Sequence, residues 1–327
     1  MIFNKMKALT FSRFGTSDVL EYIDIPVPEP GENKVLVQMK AIGLNYADIY
    51  RRKGNYHLKG DPPYIAGYEG AGIIVKSNSV KHKNGERIAF ADVPFANAGY
   101  VVVPEPNIIP LPEHIDFSMA ASVLLQGLTA QYLATESHKV KPGETIVIHA
   151  ASGGVGQILT QICKMKGAKV IGLTRNANKT ETILNNHADF ALVLNKQWKS
   201  KVMELTSDKG VDVVYDSIGS TLMDSIEVTK ERGHIVFYGM SGGDPPPVDP
   251  RILMNSSKTL TGGDLWSYLS SGEERRSRSH ELFGWILKDE IKIKQAVKFK
   301  LSEGRKAHDF LENGKSSGKI LLIPDSE

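Results

Sequence analysis

The residues best suited to chemistry lie in one short run, Thr145-Ile146-Val147-Ile148-His149-Ala150-Ala151-Ser152-Gly153-Gly154-Val155-Gly156. An apolar stretch, a small-residue turn and an amphipathic segment predict a strand, a tight turn and a helix N-terminus. Such a terminus, with outward-pointing backbone N–H groups and the positive end of the helix dipole, suits a pyrophosphate. Gly153 lets backbone approach the phosphates, and Gly156 lets the helix pack closely on the strand. Ala151 stands where the G-x-G-x-x-G fingerprint has its first glycine, so the motif alone is weak. Its place between a strand and a helix, inside a long βα alternation, is what points to a dinucleotide.

The following strand bears on which dinucleotide. An NAD site typically carries Asp or Glu about 20 residues past the loop, accepting from the ribose 2′-OH. Here that strand ends Ile171-Gly172-Leu173-Thr174-Arg175-Asn176, with Lys179 soon after. A guanidinium and an ammonium attract a 2′-phosphate, so NADPH is the expected cofactor.

Catalytic zinc needs three protein ligands. The nine histidines are scattered, His138 and His149 being the closest pair, and no H-x-x-x-H spacing occurs. The one cysteine, Cys163, falls beside the apolar face of the helix after the glycine turn, where packing explains it. No G-x-S-x-G elbow is present, and Ser152 belongs to the phosphate turn. Hydride transfer then remains, with the protein positioning an acceptor. An electron-poor quinone or conjugated enone suits it best, because neither needs a Lewis acid.

These residues need elements to hold them. The chain has 327 residues, 41% hydrophobic and 24% charged, enough for two cores. Forty basic against 37 acidic side chains leave a net charge of +3, which argues against a nucleic-acid partner. The runs Arg51-Arg52-Lys53 and Arg275-Arg276-Ser277-Arg278 read as solvated surface. A single cysteine fits the reducing cytoplasm. No signal peptide is read at the N-terminus, and no window approaches the about 18 apolar residues of a membrane span. Strands are expected at 35–39, 68–75, 85–90 and 99–103, forming a β-rich opening module. From Lys141 the pattern changes to strands at 145–149, 169–174, 189–194, 211–216 and 233–239 separated by helical stretches, which implies a parallel sheet covered on both faces. Residues 154–167 predict a helix with Ile158, Leu159, Ile162 and Met165 on one face. The stretch 270–279 reads as a loop or helix start, and 281–288 as a helix.

Several motifs resemble one family. Lys141-Pro142-Gly143-Glu144 leading into the glycine turn resembles the medium-chain dehydrogenase/reductase superfamily, in its zinc-free quinone oxidoreductase branch. So do Ala41-Ile42-Gly43-Leu44-Asn45-Tyr46-Ala47-Asp48, Gly67-Tyr68-Glu69-Gly70-Ala71-Gly72 and Gln126-Gly127-Leu128-Thr129-Ala130. Tyr215-Asp216-Ser217-Ile218-Gly219 and the tail from Ala307-His308 to Gly318-Lys319-Ile320-Leu321-Leu322 extend the similarity over nearly the whole chain.

The resemblance implies an α/β fold, a Rossmann doubly wound parallel sheet inserted in a GroES-like β-rich catalytic domain. Residues 1–125 and 267–327 would form the catalytic domain, residues 126–266 the NADP(H)-binding domain, and the edge strand near 258–266 a homodimer. Zinc-dependent relatives have a Cys where Asn45 or its neighbour falls, and a His where this chain has Tyr68. By the same resemblance Asn45 and Tyr56 are the catalytic candidates, and Asn45, Gln126 and Thr129 line the nicotinamide side. Ser152, Gly153, Gly154 and Val155 would hold the pyrophosphate, and Thr174, Arg175 and Lys179 the ribose end. Ser217, Ile218, Ser220, Tyr238, Gly239, Met240, Ser241, Asp264, Leu265 and Trp266 would close around the remaining cofactor. Lys196 stands where some relatives cover the adenine with Tyr or His, and an Arg that others carry near Gly262-Gly263 is missing. The implied activity is NADPH:quinone reduction, with solvent or a tyrosine supplying the proton. An enone, alkenal or enoyl-thioester reductase using the same cofactor is the alternative. A non-catalytic NADPH-binding redox sensor is the reading from another class.

Overall fold

The computed structural model of the protein describes residues 4–325. Among them the chain forms two compact units. The first runs through Leu125 and regains the chain at Leu269–Leu287 and from Lys294 onward; the second holds Gln126–Tyr268 and Lys288–Ile293.

The second unit is a six-stranded parallel sheet. Its spatial order is Phe190–Val193, Lys169–Thr174, Thr145–Ile148, Val211–Asp216, Thr229–Phe237, Thr259–Gly262. This is the doubly wound order, reversing beside the strand that carries the glycine turn. Val147, Ile171, Leu173, Val211 and Val214 are buried against Trp198 and Val202, as strands covered on both faces require. Cys163 is fully buried in the helix Gly154–Met165, and burial pushes its thiol far up. Lys288–Ile293 docks on this unit because the Gln161 amide grips the Lys292 backbone, accepting from its N–H at 2.8 Å and donating to its carbonyl at 3.0 Å.

The first unit holds a three-stranded and a seven-stranded sheet, antiparallel apart from the Val297–Lys300/Ile320–Ile323 pair. In the larger, the long strand Lys34–Leu44 pairs with Gly70–Ser77, with Tyr100–Pro104 and with the late strand Ile320–Ile323. The register sets Ile320 opposite Leu44 and Ile42 opposite Gly70. Three positions distant in sequence, 45, 69 and 319, therefore meet at one corner.

Two sequence expectations are corrected. Of the two readings of 270–279, the helix start holds, but the helix is Gly272–Leu287, which begins well before position 281 and takes in the run 275–278. Ser271 caps it by accepting from the Glu274 N–H at 3.1 Å, and Glu274 pairs with Arg278 one turn on at 2.9 Å, so serines that resemble a loop are cap chemistry. Arg275 is paired with Asp92 at 2.5 Å, and only Arg276 and Ser277 of the run are exposed. The second correction concerns 51–53, where Arg51 is 2% and Arg52 0% exposed. Both end the helix Tyr46–Lys53, and both meet acidic partners that offset their desolvation. Arg51 reaches Asp48 at 3.1 Å. Arg52 is bonded to Glu312, to the Gly15 carbonyl at 3.2 Å and to His308 Nδ1 at 3.1 Å, tying the first segment to the helix Gly304–Glu312.

Burial, then the Arg52 cation, push His308 down to about 3. Its folded value lies below the unfolded value of about 6.5, so the neutral ring stabilises the fold fully above that pH, and this contribution is lost as pH falls toward 3. Replacing His308 by Asn, which keeps an acceptor for Arg52, should reduce the stability lost between pH 6.5 and pH 5 by about 2 kcal/mol. Urea unfolding of both proteins at the two pH values measures it.

Candidate active site

The glycine turn is built from one strained residue and one close approach. Ala150 takes a left-handed φ of +49°, Gly153 N donates to the Ala150 carbonyl at 2.8 Å, and Gly153 then caps the helix Gly154–Met165 in extended conformation. No side chain caps that end, so the first-turn N–H groups of Gly154, Val155 and Gly156 are directed out of the helix start. A Cβ on Gly156 would stand 2.4 Å from the Ala150 carbonyl oxygen and 2.6 Å from Ala151 Cα. The helix can begin this close to the strand only with glycine there.

All six strands of this sheet run parallel, so their C-terminal ends share one edge. Ser152, Thr174, Lys196, Ser217, Tyr238 and Asp264 each follow or close one strand at that edge. Ser152 is buried, with its hydroxyl 3.2 Å from that of Thr174, which accepts from Asn176 N at 3.3 Å. Arg175 comes next and is exposed; Lys179, half-buried, ends the short turn Ala177–Lys179 that the Asn176 side chain caps at 3.0 Å. Lys196 is exposed in a turn where Asn195 accepts from Gln197 N at 2.9 Å. Gln126 lays its amide over Gly154, where an added Cβ would fall 1.9 Å from Gln126 Oε1; Thr129 is buried on the same helix, Phe117–Tyr132.

The remaining loops are stitched to one another. The Ser217 carbonyl accepts from both the N–H and the hydroxyl of Ser241 at 3.0 Å, and the Ile218 carbonyl accepts from Gly242 N at 2.8 Å. Gly239 lies against Ser217, an added Cβ falling 3.2 Å from its carbonyl oxygen. Ser220 is exposed and Met240 half-buried beside them. Burial pushes the Tyr238 phenol up, a hydrogen bond with Ser217 opposing it. Asp264 accepts from Trp266 N at 3.2 Å at the start of the short helix Leu265–Tyr268, in which Leu265 is buried and Trp266 half-buried.

Beneath these loops lies a network that the sequence reading missed. Asp216 accepts from Ile218 N at 2.8 Å and Gly219 N at 3.1 Å with one oxygen, and from Thr221 and Ser225 hydroxyls at 2.8 and 2.6 Å with the other. Ser225 gives its only proton to the carboxylate, so His149 Nε2–H donates to Ser225 Oγ across 3.0 Å. Burial pushes the His149 ring down, which keeps it neutral in that tautomer. The end of the glycine-turn strand and the 217–219 loop are thereby linked through buried groups.

In the first unit, Asn45 is buried just before the helix Tyr46–Lys53, and Asp48 reaches back to accept from its N–H at 2.9 Å. Its amide is engaged at both ends: Oδ1 accepts from Lys319 Nζ at 2.7 Å, while Nδ2 donates to Glu69 Oε2 at 2.8 Å and to the Gly43 carbonyl at 3.3 Å. Lys319 also donates to Glu69 Oε2 at 2.5 Å, and Glu69 Oε1 accepts from Leu125 N at 2.8 Å. Glu69 is 0% and Lys319 3% exposed. Gly43 is obligatory beside them, since a Cβ would lie 2.2 Å from Glu69 Oε2.

Tyr56 is half-buried with its ring 5.0 Å from the Arg51 guanidinium, which lies 3.5 Å from the centre of the Tyr68 ring on another side. Burial pushes the Tyr68 phenol and the Asp48 carboxyl up, and Arg51 opposes both shifts. Tyr50, packed between Tyr46 at 5.4 Å and Tyr56 at 6.3 Å, completes a row of half-buried aromatics. The sequence signal for Lys319 and Glu69 was a lone charge at the head of an apolar strand and another within a glycine-rich one.

This corner does not fit a metal. Asn45 is saturated by Lys319 and Glu69, and Tyr68 lies under a guanidinium, so protein cations stand against both positions. Elsewhere His138 meets His234 at 3.0 Å and Glu144 at 3.0 Å, but among the described residues no group of three or more His, Cys, Asp or Glu could hold a metal ion. No helix among them is long and apolar enough to cross a membrane.

Residues 31–142 match the family described as alcohol dehydrogenase GroES-like domain, and residues 154–276 that described as zinc-binding dehydrogenase. The quinone oxidoreductase of Pseudomonas aeruginosa is 37% identical, over 97% of this chain and 99% of its own length. A 2-haloacrylate reductase of Burkholderia is 33% identical, over 98% of this chain and 99% of its own. The solved Escherichia coli quinone oxidoreductase complexed with NADPH superposes with a TM-score of 0.92 at 35% identity, covering 97% of this chain and 100% of that one.

The contact at Gly156 is with backbone and has no flexible neighbour to yield. Gly156→Ala should lower stability by about 1–3 kcal/mol through overpacking, read as a reduced urea midpoint at unchanged slope.

Proposed function

The chain belongs to the medium-chain dehydrogenase/reductase superfamily, in its quinone oxidoreductase branch, and from that premise we infer that it is an NADPH-dependent quinone reductase. The observation that carries this reading is the uncapped helix start at Gly154, joined through Ser152 and Thr174 to the end of a strand that Arg175 follows directly. That arrangement fits a dinucleotide with an extra phosphate, and structures similar over the whole chain were solved with NADPH.

NADPH, when bound, supplies a hydride. The first-turn N–H groups of Gly154 and Val155 hold the pyrophosphate beside Ser152 and Gly153, and Arg175 and Lys179 pair with the 2′-phosphate. Thr174 sets the direction of that basic segment. Gln126 and Thr129 line the nicotinamide side, and the paired loops at Ser217, Ile218 and Ser220 and at Tyr238, Gly239, Met240 and Ser241, with Asp264, Leu265 and Trp266, close around the remaining cofactor. Lys196 lies toward the adenine. Asn45 and Tyr56 serve the acceptor side, and the proton that completes the hydroquinone comes from solvent or from the Tyr56 hydroxyl. Quinones accept a hydride and this proton with no metal to polarise them.

Reduction of an activated alkene such as an enone is the second reading, favoured by the whole-length similarity to a 2-haloacrylate reductase. It uses the same cofactor half and differs in the acceptor. We place the protein in the cytoplasm, on its lone cysteine. We propose a homodimer in which two copies pair through Thr259–Gly262, the last strand of its sheet.

Steady-state oxidation of NADPH with a panel of quinones, enones and 2-haloacrylate should give the largest kcat/KM with a quinone. No turnover of any quinone overturns the reading, and a larger kcat/KM on the alkenes selects the alternative. Arg175→Ala combined with Lys179→Ala should raise KM for NADPH about tenfold or more while leaving KM for NADH within about twofold.

A further inference from the structure

We propose that Lys319 is a positioning residue for acceptor reduction, acting through the side-chain amide of Asn45; the proposal rests on the quinone-reductase reading above. An asparagine amide can sit in either of two flips, and its surroundings choose between them. Here the choice is forced. The Lys319 ammonium has only donors, so it takes Oδ1 at 2.7 Å; Glu69 Oε2 has only acceptor capacity as a carboxylate, so it takes Nδ2 at 2.8 Å. The ion pair between Lys319 and Glu69 at 2.5 Å holds both determinants on one side of Asn45.

The consequence reaches the acceptor side through the backbone. Asn45 immediately precedes the helix Tyr46–Lys53, and Asp48 in its first turn closes back on the Asn45 N–H. That helix carries Tyr46 and Tyr50 in the aromatic row and Arg51 under Tyr56. Fixing Asn45 therefore fixes where the row begins. Lys319 belongs to the C-terminal segment, and strand register brings it there: Ile320 lies opposite Leu44, so the next residue on one strand stands beside the preceding residue on the other.

Charge balance is a competing role, and it can be separated from positioning. Asp48, Arg51, Glu69 and Lys319 are all buried, two of each sign. Losing Lys319 alone strands the Glu69 charge, whereas replacing both members of a buried pair by neutral groups is often tolerated. The double variant E69Q/K319M keeps the balance and removes the ammonium from Oδ1. N45A keeps the ion pair and removes the amide instead.

The test measures thermal midpoint, NADPH affinity by calorimetry and quinone kcat/KM for wild type, E69Q/K319M, N45A and the triple variant. Positioning predicts that E69Q/K319M binds NADPH within about twofold of wild type yet loses about tenfold or more in quinone kcat/KM. N45A should fall by a similar factor, and the triple variant no further than either, because both changes break one connection. A double variant that retains wild-type kcat/KM, or a triple variant whose losses multiply, overturns the proposal; should the double variant fail to fold, N45A with wild-type kcat/KM overturns it alone. Wild-type protein without quinone turnover overturns the quinone-reductase reading and this proposal together, whereas normal wild-type turnover beside an unaffected double variant overturns this proposal only.

Discussion

The helix Gly154–Met165 begins so near the strand before it that no Cβ fits at Gly156, where the nearest backbone oxygen would lie 2.4 Å away. That close approach brings the uncapped helix start to the sheet edge where every neighbouring strand ends. A helix terminus whose N–H groups were capped by a side-chain acceptor, or displaced outward by a methyl group, would present fewer N–H groups to an anion. The surrounding loops are organised around this point. Ser152 and Thr174 hold the next strand end against it, and Gln126 covers Gly154. The chain His149, Ser225, Asp216 holds the 217–219 loop from below. The loops proposed to meet NADPH are tied to one another by their own hydrogen bonds, which lowers the ordering that binding would have to impose.

The first unit solves a different problem. A polar corner is buried in a β-rich core, at a place where the family resemblance implies metal ligands in zinc-dependent relatives. The chain fills it with its own charges, and each one has a partner of opposite sign. Arg51 between Tyr56 and Tyr68 adds attraction to aromatic faces. A buried arrangement of this kind is weak as a source of stability but specific in geometry, since removing any one member leaves another uncompensated. Arg52, Glu312 and His308 repeat the device where the first and last segments of the unit meet.

How much of this was legible follows from which forces act locally. The βα alternation, the glycine turn and the helix after it were readable because strand and helix periods are local, and 169–174 and 211–216 coincide with the observed strands. Ser217, Tyr238 and Asp264 were expected from the family resemblance, and the observed parallel order sets them along one edge with Ser152 and Thr174. The strands Lys5–Phe11 and Glu21–Pro26, which pair with each other, carry no clean alternation and were not read. Lys319 and Glu69 were illegible as a pair because register between strands far apart in the chain brings them together. Arg51 and Arg52 read as solvent-facing because three consecutive cations usually are; their acidic partners Asp48 and Glu312 stand three and 260 residues away. The stretch 270–279 stayed open between a loop and a helix start because its serines serve equally in loops and caps.

Calorimetric titration of the folded protein with NADPH and, separately, with NADH tests the central claim most directly. The account predicts a single site per chain that binds NADPH at least about tenfold more tightly than NADH, from the paired charges that meet the 2′-phosphate. Absence of heat with either dinucleotide, from protein shown to be folded by a cooperative unfolding transition, would contradict it.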